Sequence, residues 1–167
     1  MPPTVHVAAL WGPGPREDQR ARAEAHLVEE LGLVRVVRLC MLCASPHHGR
    51  PVPLGGGEVL HLSLAYAEDL VLAAWSTAPV GVDVEREERG RDAGDYGDLR
   101  AWTRLEAIVK TTGEGLAREP LDLPALWTAP LPLPDGWVGT VACAEPAVLS
   151  WCEARPGRPG APAAPPR

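Results

Sequence analysis

Short apolar runs alternate with polar breaks along the chain, and the period of each run assigns it an element. VHVAALW (5–11) is apolar and β-branched and is closed by GPGP, which predicts a strand ended by a turn. From Pro15 to Leu31, Ala21, Ala25, Leu27, Val28 and Leu31 recur at roughly helical spacing in a charged segment. Gly32 supplies the stop, so an amphipathic helix is predicted. LVRVVRLCML (33–42) reads as a strand, and 44–58, ASPHHGRPVPLGGGE, as loop by composition. The glycines at 55–57 precede no G-K-[ST] and open no helix, so they read as a flexible connection and not as a phosphate cradle. VLHLSLAY and LVLAAWS, joined by AED, predict a hairpin, with VGVDVE (80–85) as a third strand close behind. After the polar stretch REERGRDAGDYGD, Asp98 caps a helix running to about Thr112, which Gly113 ends. A Pro-rich crossing leads to WVGTVAC (137–143) and AVLSWC (147–152), two closing strands.

This order predicts an α+β fold in two small helix-on-sheet halves, 1–79 and 80–152. Residues 153–167, EARPGRPGAPAAPPR, hold too little apolar surface to fold and are expected to form a disordered tail. At 167 residues, with 46% hydrophobic and 23% charged, the chain is sized for one ordinary domain with a packed core. A net charge of -6 argues against a nucleic-acid binder, whose affinity comes from clustered Lys and Arg. No stretch is long and apolar enough for a bilayer, and MPPTVHVAALW lacks the basic and apolar regions of a secretion signal. A cytoplasmic protein that engages neither membrane nor nucleic acid is therefore expected, with its four cysteines as reduced thiols. Cys40 and Cys43 form a CxxC followed by His47 and His48. That spacing suits three or four metal ligands, and it equally suits two small apolar residues at a strand end followed by a polar turn.

In VGVDVE the period of two puts Val80, Val82 and Val84 on one face and Gly81, Asp83 and Glu85 on the other. Adjacent carboxylates repel unless water, arginine or a cation intervenes, and Mg²⁺ is one solution. A solvated outer strand face is the other reading. On the following helix, Trp102, Leu105, Ile108 and Val109 form an apolar stripe, with Glu106 and Lys110 one turn apart along its edge. Such a pair is commonly a surface staple worth about 0.3–0.5 kcal/mol. Lys110 is, however, the only lysine in a chain whose Lys+Arg total is 16. A staple would tolerate arginine, whereas an amine can give up and recover a proton.

GVDVE followed by WTRLEAIVKTTGEGL resembles the two signature motifs of the 4′-phosphopantetheinyl transferases of the monomeric, pseudo-dimeric branch. HGRP (48–51) is similar to that family's short G-[KR]-P element, LHLSLAYAEDLVLAAW to its central hairpin and WVGTVACA to its penultimate strand, so the likeness covers about residues 45–145. The resemblance implies two pseudo-symmetric halves, each a helix on an antiparallel sheet. It implies Mg²⁺-dependent transfer of the phosphopantetheine arm of coenzyme A to a serine of an acyl or peptidyl carrier protein, in polyketide or non-ribosomal peptide biosynthesis. It further implies Asp83, Glu85 and Glu106 as metal ligands, Glu106 as the base, Lys110 at the departing phosphate and Arg50 at a coenzyme A phosphate. Ala65, Tyr66 and Ala67 stand at the family's SHS element, where Tyr66 could still donate one hydrogen bond to the nucleotide. Leu105 replaces a lysine, and the segment from Glu85 to Trp102 is shortened. A repurposed pocket for cyclisation or dehydration of a natural-product intermediate, and a non-catalytic carrier-binding module, are the alternative readings. Arg16, Arg20, Arg22, Arg35 and Arg38 are candidates for the basic patch that an acidic carrier would need, and equally suit a solvated helix face and strand edge.

Overall fold

A computed structural model describes residues 1–40, 43–46, 48–87, 97–113 and 124–154. In chain order the elements are β1 (Thr4–Trp11), α1 (Arg16–Leu31), β2 (Arg35–Leu39), β3 (Arg50–Leu54), β4 (His61–Ala67), β5 (Leu70–Ser76) and β6 (Val80–Arg86), then α2 (Leu99–Thr112), β7 (Trp127–Pro130), β8 (Trp137–Cys143) and β9 (Val148–Ala154). The fold is α+β. Its strands form a four-stranded sheet in the order β4-β5-β1-β9, a three-stranded sheet β6-β8-β7 and the β2-β3 ribbon.

The alternation in VGVDVE sets how the two larger sheets meet. Val80, Val82 and Val84, with Val141 and Cys143 of β8, pack against Val5, Val7, Ala9, Leu70, Leu72 and Ala74 of the four-stranded sheet. The sheets therefore lie face to face, and each outer face receives a helix. Ala23 and Leu27 of α1 cover Leu62, Leu64, Val71 and Ala73, while Ala107 and Ile108 of α2 cover Ala142. Buried hydroxyls lock α2 down: Thr103 Oγ1 and Thr140 Oγ1 are 2.9 Å apart, and Thr111 Oγ1 donates to Ala142 O of β8 at 3.3 Å.

Both helices end, and α2 also begins, where the residue types direct. Asp98 Oδ1 accepts the Ala101 N–H at 2.8 Å, a cap worth about 1 kcal/mol. Gly32 (φ 61°) and Gly113 (φ 76°) take the left-handed conformation that closes α1 and α2.

Four features depart from the sequence expectations. The segment read as loop at 44–58 contains β3, whose Pro51 and Pro53 pair opposite Arg38 and Val36 in a two-stranded ribbon; a Pro lacks the N–H for a ladder on both sides, which a ribbon edge does not require. The Pro-rich crossing contains β7, four residues on the edge of β8. The closing strand β9 runs parallel to β1, so the four-stranded sheet is mixed and not antiparallel, and residues grouped with the second half complete the sheet of the first. Glu153 and Ala154, assigned to a disordered tail, are the end of β9. Residues 155–167, most of the polar stretch before Asp98, and Met41 and Leu42 of the expected second strand lie outside the described residues. Among the described residues, no helix is long and apolar enough to cross a membrane.

Candidate active site

Gly81 determines how closely α2 approaches β6. A Cβ there would fall 2.0 Å from Ala107 O and 2.6 Å from Thr111 N, so only glycine lets the helix backbone rest on the strand. That approach brings Lys110 to Asp83. Lys110 Nζ donates to Asp83 Oδ1 at 2.7 Å and to Val82 O at 3.1 Å. Asp83 is 7% exposed, which rules out the solvated strand face, and its Oδ2 is buried without a hydrogen-bond partner. The three buried valines on the other face of β6, at roughly 1.5–3 kcal/mol each, outweigh the cost of sinking one paired carboxylate. Glu85 accepts from Trp102 Nε1 at 3.3 Å, joining the start of α2 to β6.

Burial pushes the Asp83 pKa up to about 6; Lys110 opposes the rise, and the negative charges of Glu106 and Glu85 add to it. The folded-state value lies above the unfolded one, so a proton on Asp83 favours the folded state. That stabilisation is full below about pH 4 and is lost as pH rises through about 6, an effect on the order of 2–3 kcal/mol. Urea unfolding of the metal-free protein is expected to show this decline between pH 4 and 6, and Asp83→Asn is expected to flatten it.

A cavity of about 400 Å³ opens where three elements of the fold converge. Its walls are Arg38, Gly49, Arg50 and Pro51 from the β2-β3 ribbon, Leu62, Ser63 and Leu64 from β4, and Glu106, Val109, Lys110 and Gly113 from the end of α2. Three cations and one carboxylate thus face one space with apolar walls, which suits a ligand carrying several phosphate charges and an apolar portion. Arg50 Nη2 donates to Val80 O (3.3 Å) and Thr111 O (3.4 Å), spanning from the ribbon to both β6 and α2; burial pulls its pKa down. Burial and the nearby Arg50 likewise lower the pKa of His61.

Of the residues singled out from sequence, Glu106, Lys110 and Arg50 line this cavity, and Asp83 lies directly behind Lys110. Glu85 is beside Trp102, at the other end of the same strand face. Glu85 and Glu106 act on Asp83 through charge, but the three carboxylates are not gathered within 4.8 Å as a ligand set; among the described residues that spacing is met by Cys40, Cys43 and His48. Tyr66 is not on the wall. Its Oη accepts from Arg38 Nη2 at 3.1 Å and its ring lies 4.2 Å from the Arg16 guanidinium, so it acts on the cavity through Arg38. The hydroxyl that does reach the wall is Ser63, which also accepts the Val82 N–H at 3.1 Å. Its one sequence signal is a serine set in the apolar run LHLSLAY. The expected arginine patch is partly committed elsewhere, because Arg22 holds Gly12 O and Pro13 O and Arg38 reaches Glu24, Gly49 O and Tyr66. His47 lies outside the described residues.

No family model matches the sequence, and no curated protein matches it either.

Proposed function

We propose that the chain is a phosphopantetheinyl transferase, moving the 4′-phosphopantetheine arm of coenzyme A to a carrier-protein serine for polyketide or non-ribosomal peptide assembly. The observation that carries this reading is the cavity itself, where Arg38, Arg50 and Lys110 face Glu106, with Asp83 behind Lys110. The face-to-face sheets, each backed by one helix, support a pseudo-symmetric pair of halves with the site at their junction. On this reading the protein works in the cytoplasm.

In the proposed reaction Arg38 and Arg50 hold coenzyme A phosphates by charge-assisted hydrogen bonds. The carrier serine hydroxyl attacks the pyrophosphate phosphorus nearer the pantetheine arm, forming the seryl P–O bond as the P–O bond to 3′,5′-ADP breaks. Glu106 accepts the serine proton, and the departing phosphate keeps the bonding electron pair, with the Lys110 ammonium stabilising it or giving it a proton. The donor set fits Mg²⁺ in one respect that geometry supplies, the unpartnered buried Asp83 Oδ2 amid two further carboxylate charges. Asp83, Glu85 and Glu106 would hold the ion, which when bound would neutralise pyrophosphate charge.

A second reading has its own observation: Lys110 is already committed to Asp83 and Val82 O, as a staple between helix and strand would be. On that reading the cavity serves another natural-product reaction, such as cyclisation or dehydration, or only holds a carrier. Calorimetry with coenzyme A separates the two. The transferase reading expects saturable binding that tightens at least about tenfold when Mg²⁺ is added, and absence of binding in both conditions favours the second.

A further inference from the structure

The turn between β2 and β3 closes on itself beside the cavity. The Ala44 N–H donates to Cys40 O at 2.8 Å and the Cys40 N–H to Ser45 O at 3.1 Å. Ala44 adopts a positive φ of 56°, and at Gly49 (φ 102°) a Cβ would lie 2.4 Å from Leu39 O, so the two sides of the turn are drawn as close as backbones allow. The product of this closure is a cluster of soft donors. Cys40, Cys43 and His48 each bring a ligand atom within 4.8 Å of the others, and Cys43 Sγ is 3.3 Å from His48 Nε2.

We propose that Cys40, Cys43 and His48 form a zinc site. Tetrahedral Zn²⁺, with Zn–S of about 2.3 Å and Zn–N of about 2.0–2.1 Å, sets its ligands roughly 3.6–3.8 Å apart, so the donors need to move by no more than about 1 Å. Two sulfurs and an imidazole select zinc over Mg²⁺ or Ca²⁺, which take oxygen. Binding displaces the two thiol protons to solvent, leaving two thiolates and a neutral imidazole on the ion, with a water at the fourth vertex. Cys43 and His48 are exposed and Cys40 half-buried, which gives the ion a path from solvent. The site is separate from Asp83, Glu85 and Glu106 and does not depend on the transferase reading. It does touch the cavity mechanically. Gly49 O is held by Arg38 at 3.2 Å, and the next residue is Arg50, so an ion in the turn fixes both arginines at the wall.

The test titrates reduced, metal-free full-length protein with Co²⁺ and then Zn²⁺. One equivalent of Co²⁺ is expected to give the strong visible bands of a tetrahedral ion and a thiolate charge-transfer band, both removed by one equivalent of Zn²⁺. Cys43→Ser and His48→Ala should each weaken Zn²⁺ binding by at least about a hundredfold, with Cys152→Ser unchanged. Because either variant can loosen the turn, His48→Cys is included: it keeps three donors and is expected to hold Co²⁺ with a stronger thiolate band. Lack of a thiolate band in folded wild-type protein, or full Zn²⁺ affinity in both Cys43→Ser and His48→Ala, would overturn the proposal.

Discussion

On the proposed transferase reading, Lys110→Arg is expected to lower phosphopantetheine transfer by about 10²- to 10⁴-fold while the protein stays folded. The charge survives, so the loss reads out shape and proton chemistry. One compact ammonium touches Asp83 Oδ1 and Val82 O together. A guanidinium is wider, planar and permanently protonated, and cannot place one nitrogen against both or give a proton to the leaving phosphate. Lys110→Met measures the structural share of the lysine. Removing the cation leaves Asp83 buried without its partner, a cost of about 3–5 kcal/mol that urea unfolding above pH 7 would register. A Lys110→Arg enzyme with ordinary turnover would make the lysine a staple and remove it from the chemistry.

Gly81→Ala is expected to cost about 3 kcal/mol or more, and with it the site. The new methyl group would overlap Ala107 O at 2.0 Å and lie 2.7 Å from Thr111 Oγ1. Strand β6 cannot retreat, because Val80 and Val82 on its other face are fully buried against the opposite sheet. Helix α2 must lift instead. Overpacking alone costs about 1–3 kcal/mol, and the lift also stretches the Lys110–Asp83 contact. Gly57→Ala, where a Cβ meets nothing within 4 Å, is the control and should change stability by less than about 0.5 kcal/mol. Equal midpoints for the two variants in urea would contradict the close-approach argument.

What could be read from the sequence was local. Gly32 and Gly113 end the helices, Asp98 starts one, and the valine alternation fixes which face of β6 enters the core; each is decided by neighbours along the chain. Strand β3 was hidden because its prolines signal loop and only its partner β2 makes it a strand. Strand β9 was visible as a strand, but its parallel seat on β1 depends on a pairing with the other end of the chain. The same holds at the site. Glu106 and Lys110 were legible as a pair one turn apart, and Asp83 as a carboxylate on the face away from the valines. That this face is covered, and that Gly81 is what allows the cover, depends on α2 packing across β6. Ser63 and Arg38 reach the cavity from strands whose spatial neighbours no spacing in the sequence discloses.

The most direct test is to incubate the purified protein with Mg²⁺, coenzyme A and several apo carrier proteins and to weigh the carriers by mass spectrometry. The account predicts that at least one carrier gains the mass of a single phosphopantetheine arm and that 3′,5′-ADP appears in equal amount. Carriers that all keep their original mass, while an established transferase modifies them in parallel, would contradict it.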